Sequence, residues 1–372
     1  MNAPGGDPGF QSSSQALDVL MRILRGAVAA KASDLHLRVG IAPRVRIQGQ
    51  LLPLEHPPLA EGTIESALTS LASVARIDTS RLQRKQTDFS CEVPEAGRFR
   101  VHTYRQAGTL AAALRFIASP IPDLASLRLP PVVKRIAQLE RGIIVVSGAT
   151  GNGKSTTIAS LLEHMNQKLP RHIVTLEEPI EYIFQDKVAS FSQREIGRDV
   201  ESMQQGLEGV LREDPDVLFV GECRSLAEFD VVLNAAESGR VVVTTFHSAD
   251  AERAIARMIG MYPTENQEQA RNRLADALGA IICQKLITPR KGNLMLVTEV
   301  MTRAPTVIEC IRDATRLRGL TAAIEKSSHE HGCHSFDQVL LGLVREGIVS
   351  VDTAKAHVHS ANDFVRALNL TR

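Results

Sequence analysis

The octapeptide Gly148-Ala149-Thr150-Gly151-Asn152-Gly153-Lys154-Ser155 fits the pattern G-x-x-x-x-G-K-[ST]. Its glycines allow successive backbone N–H groups to curl around phosphate oxygens, and the N-terminus of the following helix adds about half a positive charge. Lys154 is placed to reach β- and γ-phosphates and Ser155 to ligate Mg²⁺, with Thr156 completing the expected ATP-binding set. A Gly-rich connecting turn is the bland alternative. The apolar run Ile143–Ser147 before the loop and the helical stretch 154–167 after it favour the phosphate cradle.

Phosphoanhydride hydrolysis also needs a metal to neutralise the phosphates and a carboxylate to orient or deprotonate water. In open parallel sheets ligands bind beyond the carboxyl ends of the strands, so each strand exit is a place to look. The run 173–176 exits into Glu177-Glu178-Pro179-Ile180-Glu181, the run 217–220 into Gly221-Glu222, and the run 241–245 into Phe246-His247-Ser248. Glu222 is the expected Mg²⁺ ligand, directly or through water. Glu181 or Glu177 would hold the attacking water, ahead of Glu178, and His247 would face the γ-phosphate. Asp214 and Asp216 lie at a strand entry, the wrong end, and read as turn and cap residues. Arg98, Arg100 and Arg115 lie on strand patterns and could supply charge to a nucleotide held by an adjoining subunit.

These groups require two folded regions. Residues 1–15 read as a disordered tip, rich in Gly, Pro, Ser and Asn. Residues 16–118 read as a small α+β domain: helical spacing over 16–30, a hairpin through Gly40-Ile41-Ala42-Pro43, a helix over 61–77, then strands at 89–93, 99–104 and 110–116. The prolines of 119–131 mark a linker. Over 132–260 short apolar runs alternate with helical stretches (154–167, 201–212, 225–237, 250–260), the pattern of an α/β domain with a parallel sheet. The remainder, 264–370, reads mainly helical with one strand-like piece at 294–300.

Composition narrows the function. With 372 residues, 44% of them hydrophobic and 23% charged, the chain is long enough for two sizeable cores. The 43 Lys and Arg against 42 Asp and Glu leave a net charge of +1, so no global field would hold the chain on nucleic acid or an anionic bilayer. No apolar stretch is long enough to span a bilayer and the N-terminus lacks a signal-peptide pattern, so the expected location is the cytosol. Five cysteines without a C-x-x-C pair argue against a disulfide framework or a Cys-rich zinc site. The cluster Ser328-His329-Glu330-His331-Gly332-Cys333-His334 lacks a second ligand group at finger spacing and reads as a flexible loop. Two amphipathic units, 335–346 and 352–370, with Gly347 at a C-cap and Asp352 at an N-cap, read as docking elements.

The combination resembles the secretion ATPase superfamily, and most of all the PilT-type pilus retraction ATPases. The resemblance is carried by Ala32-Ser33-Asp34-Leu35-His36-Leu37, Arg44-Val45-Arg46-Ile47-Gln48-Gly49, the Walker A loop, the "Asp box" His172–Glu181, the Walker B-like run Leu211–Glu222 and the "His box" Thr244–Ser248. It implies a RecA-like P-loop ATPase domain behind a PAS-like N-terminal domain, with a helical C-terminal part. It also implies a hexameric ring in which Arg98, Arg100 and Arg115 reach a neighbour's nucleotide. Glu181 falls on the family's general base, Glu222 on its Walker B glutamate and His247 on its His-box histidine. Turnover would drive a pilus platform protein at the inner face of the cytoplasmic membrane. A DotB-like secretion ATPase, or an auxiliary ring subunit beside an active paralogous ATPase, are the alternatives. Ala149 and Asn152 replace the family's common Pro and Ser. The segment Thr306–Asp313 keeps chiefly Ile311 and Arg312 of the retraction motif, while the absence of a paired-Cys zinc element favours the retraction branch.

Overall fold

The computed structural model describes residues 13–47, 49–117 and 120–369. Most of the expected N-terminal tip, and Gln48 of the second motif, lie outside them. Ser13–Gln15 do not belong to a disordered tip: they open the helix Ser13–Ala29, whose apolar stripe already includes Ala16. The chain divides into two compact units. One takes the described residues of Met1–Pro120 with Glu177–Ile183 and Arg194–Glu201; the other takes Ile121–Leu176, Phe184–Gln193 and Ser202 onward.

In the first unit six strands, β1 (Asp34–Leu37), β2 (Arg44–Ile47), β3 (Gln50–Pro53), β4 (Gln86–Val93), β5 (Gly97–Gln106) and β6 (Thr109–Ile117), form a sheet ordered β3-β2-β1-β6-β5-β4. Every pairing is antiparallel. Leu35, Leu37, Phe89, Val101 and Leu114 share one core with Leu20 and Leu24 of the first helix and Leu68 and Leu71 of the helix Glu61–Val74. Each such side chain contributes about 1.5–3 kcal/mol relative to exposure. The alternate positions face away from that core: Asp34 pairs directly with Arg115, and Arg115 with Arg100, so these charges share one face.

In the second unit β7 (Gly142–Ser147), β8 (His172–Glu177), β9 (Ser190–Glu195), β10 (Val217–Glu222), β11 (Val241–Phe246), β12 (Leu278–Ile287) and β13 (Met295–Thr302) lie in the order β13-β12-β7-β11-β10-β8-β9. β8, β10, β11, β7 and β12 run parallel, and β13 is antiparallel to β12. Successive residues of β7 feed opposite cores. Ile143 and Val145 pack with Leu207, Phe229, Met258 and Leu274, whereas Ile144 and Val146 pack with Ile158, Leu161 and Met165. Both faces are therefore covered by helices, and all parallel strand exits lie at one end of the sheet.

Five expectations are corrected. Residues 264–370 are not mainly helical before 294: β12 enters the sheet between β13 and β7. The helix Gln267–Ala277 runs into it with no intervening loop, Leu278 itself turning extended, so no turn residue marks the change. From Ile121 on the expected linker belongs to the second unit, where Leu124 is buried and Ser160 Oγ donates to the Pro122 carbonyl at 2.6 Å. The stretch 352–370 splits into helices Val351–Lys355 and Ala361–Asn369. The N-cap is Ser350 rather than Asp352, its hydroxyl accepting the Thr353 N–H. Ser328–His334 is not a flexible loop: it forms a helical turn, Ser328–His331, after which His334 bridges to Val300 of β13 through both backbone groups, at 2.9 Å each.

Candidate nucleotide site

The loop Gly148–Gly153 follows β7 and the helix Lys154–Lys168 begins directly after it. Gly148 adopts φ +149°, and a Cβ there would lie 2.6 Å from the Gln284 carbonyl oxygen, so only glycine suits this approach of loop to strand. Lys154 Nζ folds back on the loop, donating to the carbonyls of Gly148 at 2.7 Å and Ala149 at 3.2 Å. Asn152 ties the loop to β12: its Nδ2 donates to the Gln284 carbonyl at 3.0 Å and its Oδ1 accepts the Leu286 N–H at 3.4 Å. The Gln284 side chain in turn donates to Thr157 Oγ1 at 2.8 Å.

The neighbouring exits converge. Ser147 Oγ lies 3.1 Å from the Phe246 carbonyl and 2.9 Å from that of Ser248, and accepts the Ser248 N–H at 3.0 Å. That pins the loop carrying His247 to the start of the cradle. In β10 the register with β11 skips Gly221, a bulge that turns Glu222 out at the strand end, while Thr245 Oγ1 donates to the Gly221 carbonyl. His247 Nε2 lies 3.4 Å from Glu222 Oε1, and Arg224 Nε donates to Glu222 Oε2 at 3.1 Å. Burial, seconded by the Lys154 charge and opposed by Glu222, holds the His247 imidazole below its ordinary value, so it is neutral at pH 7. Asp216 accepts the His172 N–H at 2.8 Å and Asp214 adopts φ +53°, both at the opposite end of the strands.

The remaining candidates lie in the first unit. Arg98 Nη2 donates to the Ile180 carbonyl at 2.8 Å and to Ser90 Oγ at 2.6 Å. Glu195 accepts both the Ile180 N–H at 3.1 Å and the Ser90 hydroxyl at 3.2 Å. Burial lowers the Arg98 pKa and raises that of Glu195. Arg100 Nη1 pairs with Glu181 at 3.3 Å, and its Nη2 with Asp88 at 3.7 Å. Arg115 pairs with Asp34 at 2.8 Å while remaining 59% exposed. Glu177, buried, is the last residue of β8. Thus the cradle, Glu222 and His247 form one group, and Glu181 with Arg98 and Arg100 another.

Sequence reasoning missed Ser147, Asn152 as a side-chain anchor, Arg224 and Gln284. A polar residue closing an apolar strand was the available sign for Ser147; nothing local marked Gln284, because its strand was not anticipated. Among the described residues no group of three or more His, Cys, Asp or Glu side chains could hold a metal ion.

A model of the Type II/IV secretion system proteins matches residues 11–359. The chain belongs to this family. This secretion-system protein is 33% identical over 336 residues, 90% of its own length and 96% of the relative's, to the type IV pilus retraction ATPase PilT of Pseudomonas aeruginosa. It is 34% identical to the type IV pilus ATPase PilU of the same organism, over 92% of its own length and 89% of the relative's. A crystal structure of the pilus retraction motor PilT with bound ADP superposes with a TM-score of 0.84 at 35% identity, covering 93% of this chain and 99% of that one. The Legionella pneumophila ATPase DotB shares the fold, with a TM-score of 0.78 at 24% identity over 95% of this chain and 97% of that one. The family member therefore has the RecA-like P-loop sheet behind a PAS-like α+β domain that its motifs implied.

Proposed function

We propose that the chain is an Mg²⁺-dependent ATPase that works as a homohexameric ring and powers type IV pilus retraction. The observation that carries this reading is the meeting of the phosphate cradle with Glu222 and His247 at one end of a parallel sheet. The likeness to the retraction ATPase PilT supports the retraction role, and that to PilU supports a type IV pilus ATPase. Among the described residues no helix is long and apolar enough to cross a membrane, which suits a cytoplasmic motor acting from the inner face of the membrane on a platform protein. A paralogous ATPase is the further partner proposed.

Backbone N–H groups of 148–155 receive the β-phosphate, and Lys154, exchanging its carbonyl partners for phosphate oxygens, reaches the γ-phosphate. A cavity of about 560 Å³ beside the loop, lined by Arg128, Asn152, Thr156, Gln284 and Asn293 among others, takes the base and ribose. The Ser155 hydroxyl and the Glu222 carboxylate are the hard oxygen donors that suit Mg²⁺, which when bound would neutralise the phosphates. His247 donates toward the γ-phosphate, and Glu181 or Glu177 orients the attacking water. Arg98, Arg100 and Arg115 of an adjoining subunit supply positive charge as negative charge spreads over the transferring group. Of the two retained residues of the retraction motif, Ile311 is buried and Arg312 pairs with Asp276 at 2.6 Å.

Phosphate release by the purified protein, sedimentation with nucleotide and a twitching assay of a deletion strain test the reading together. Turnover, a six-subunit species and lost twitching support it; a protein that binds no nucleotide overturns it.

A further inference from the structure

His359 lies between the last two helices and gathers three carboxylates from three other elements. Its Nδ1 is 3.0 Å from Asp337 Oδ1 on the helix Phe336–Arg345, and the same oxygen accepts its backbone N–H at 2.9 Å. On the far side of the ring, Nε2 lies 3.6 Å from Glu299 Oε2 on β13 and 4.0 Å from Asp250 Oδ2 at the cap of the helix Ala251–Gly260. Lys285 of β12 is the second cation nearby: its Nζ donates to the His357 carbonyl at 2.8 Å and sits 3.8 Å from the centroid of the Phe336 ring. Arg253 reaches Asp250 at 3.5 Å from a solvent-exposed position.

Glu299 makes this cluster more than a surface ion pair. It is 1% exposed; one oxygen accepts the Ala251 N–H at 2.9 Å, and among the described residues the other is within hydrogen-bond geometry of no partner, although the Phe336 N–H also acts on the carboxylate. A buried carboxylate oxygen left unpaired is costly, and an imidazolium at 3.6 Å offsets that cost. The Asp337 hydrogen bond is the main cause raising the His359 pKa, and burial the main cause raising that of Glu299. Asp250 and Glu299 both hold the segment that follows His247. Asp250 caps the next helix by accepting the Arg253 N–H at 2.8 Å, and Glu299 holds the adjacent Ala251. Ser147 grips the front of the same segment through Ser248.

We propose that His359 is a positioning residue: it locks the C-terminal helix pair onto the acidic foot of the His247 loop, and its release loosens that loop. The effect on turnover rests on the ATPase reading above; the effect on the loop does not.

Amide hydrogen exchange of the full-length protein, corrected for intrinsic rates and followed on peptides spanning 245–256, tests this. In the wild type, protection should be complete well below the ordinary imidazole value of 6.5 and fall as pH rises through the raised value. His359→Ala should exchange about tenfold faster in this segment at pH 6, with the helix Lys154–Lys168 unchanged. His359→Lys, whose cation does not titrate in this range, should keep the protection at every pH. Turnover by His359→Ala should fall several-fold at constant KM for ATP, and His359→Lys should restore it. Equal protection in wild type and a folded His359→Ala overturns the proposal. If His359→Ala does not fold, the pH series decides: a His359→Lys profile that still parallels the wild type overturns it. A protein with the exchange response but no ATP hydrolysis keeps the latch and removes the functional reading, and turnover without the response does the reverse.

Discussion

His247 Nε2 stands 3.4 Å from Glu222 Oε1, so the exits of β11 and β10 place an imidazole beside a carboxylate. Neither is held by chance: Ser147 fixes the segment behind the histidine, and Arg224 holds the other oxygen of the glutamate. His247→Ala should lower kcat about a hundredfold, the typical loss for one preorganised donor, with KM for ATP little changed. Steady-state phosphate release checks this, and a fall in affinity with kcat intact would assign His247 to ground-state binding.

Ser147→Ala removes the side chain that joins the β7 exit to Ser248, leaving a buried N–H without its acceptor. The expected loss of stability is about 1–3 kcal/mol, read from the urea midpoint at constant m-value. A reduced kcat should accompany it, because the His247 loop loses its front anchor.

Gly148→Ala places a Cβ 2.6 Å from a backbone oxygen of β12 at a left-handed φ, where neither atom belongs to a flexible side chain. The cradle must then move off β12. Nucleotide affinity should fall at least about tenfold in a fluorescent-ADP titration while far-UV circular dichroism stays the same.

His334 gives a pH prediction of definite sign. Burial against β13 lowers its pKa below 6.5, so the unfolded chain takes up a proton before the folded one does. The stability it contributes is present above pH 6.5 and is lost as pH falls through the depressed folded value. Thermal unfolding of His334→Gln should show a shallower acid limb below the ordinary imidazole value than the wild type. The His359 cluster acts in the opposite direction, its contribution being present below pH 6.5 and lost as pH rises.

Much of this arrangement was legible from residue order alone. The cradle, the run 143–147 before it and the polar exits at Glu177, Glu222 and His247 follow from strands buried on both faces, whose continuous apolar runs end abruptly in polar residues. The antiparallel first sheet was equally plain in Asp34-Leu35-His36-Leu37, where burial alternates at a period of two. What failed to show was long-range. β12 follows a helix without a break, so its apolar run merges with the helical pattern, and with it went Gln284, the partner of Asn152 across the loop. His359, Glu299, Asp250 and Asp337 are scattered over more than a hundred residues, and no spacing rule links them.

The central claim, that the cradle and Glu222 form a working phosphoryl-transfer site, is tested most directly by comparing wild type and Glu222→Gln in Mg²⁺-dependent phosphate release, with nucleotide binding measured on the same samples. The account predicts steady turnover by the wild type and at least about a hundredfold slower release by a folded Glu222→Gln that still binds ATP. Undiminished release by Glu222→Gln would contradict it.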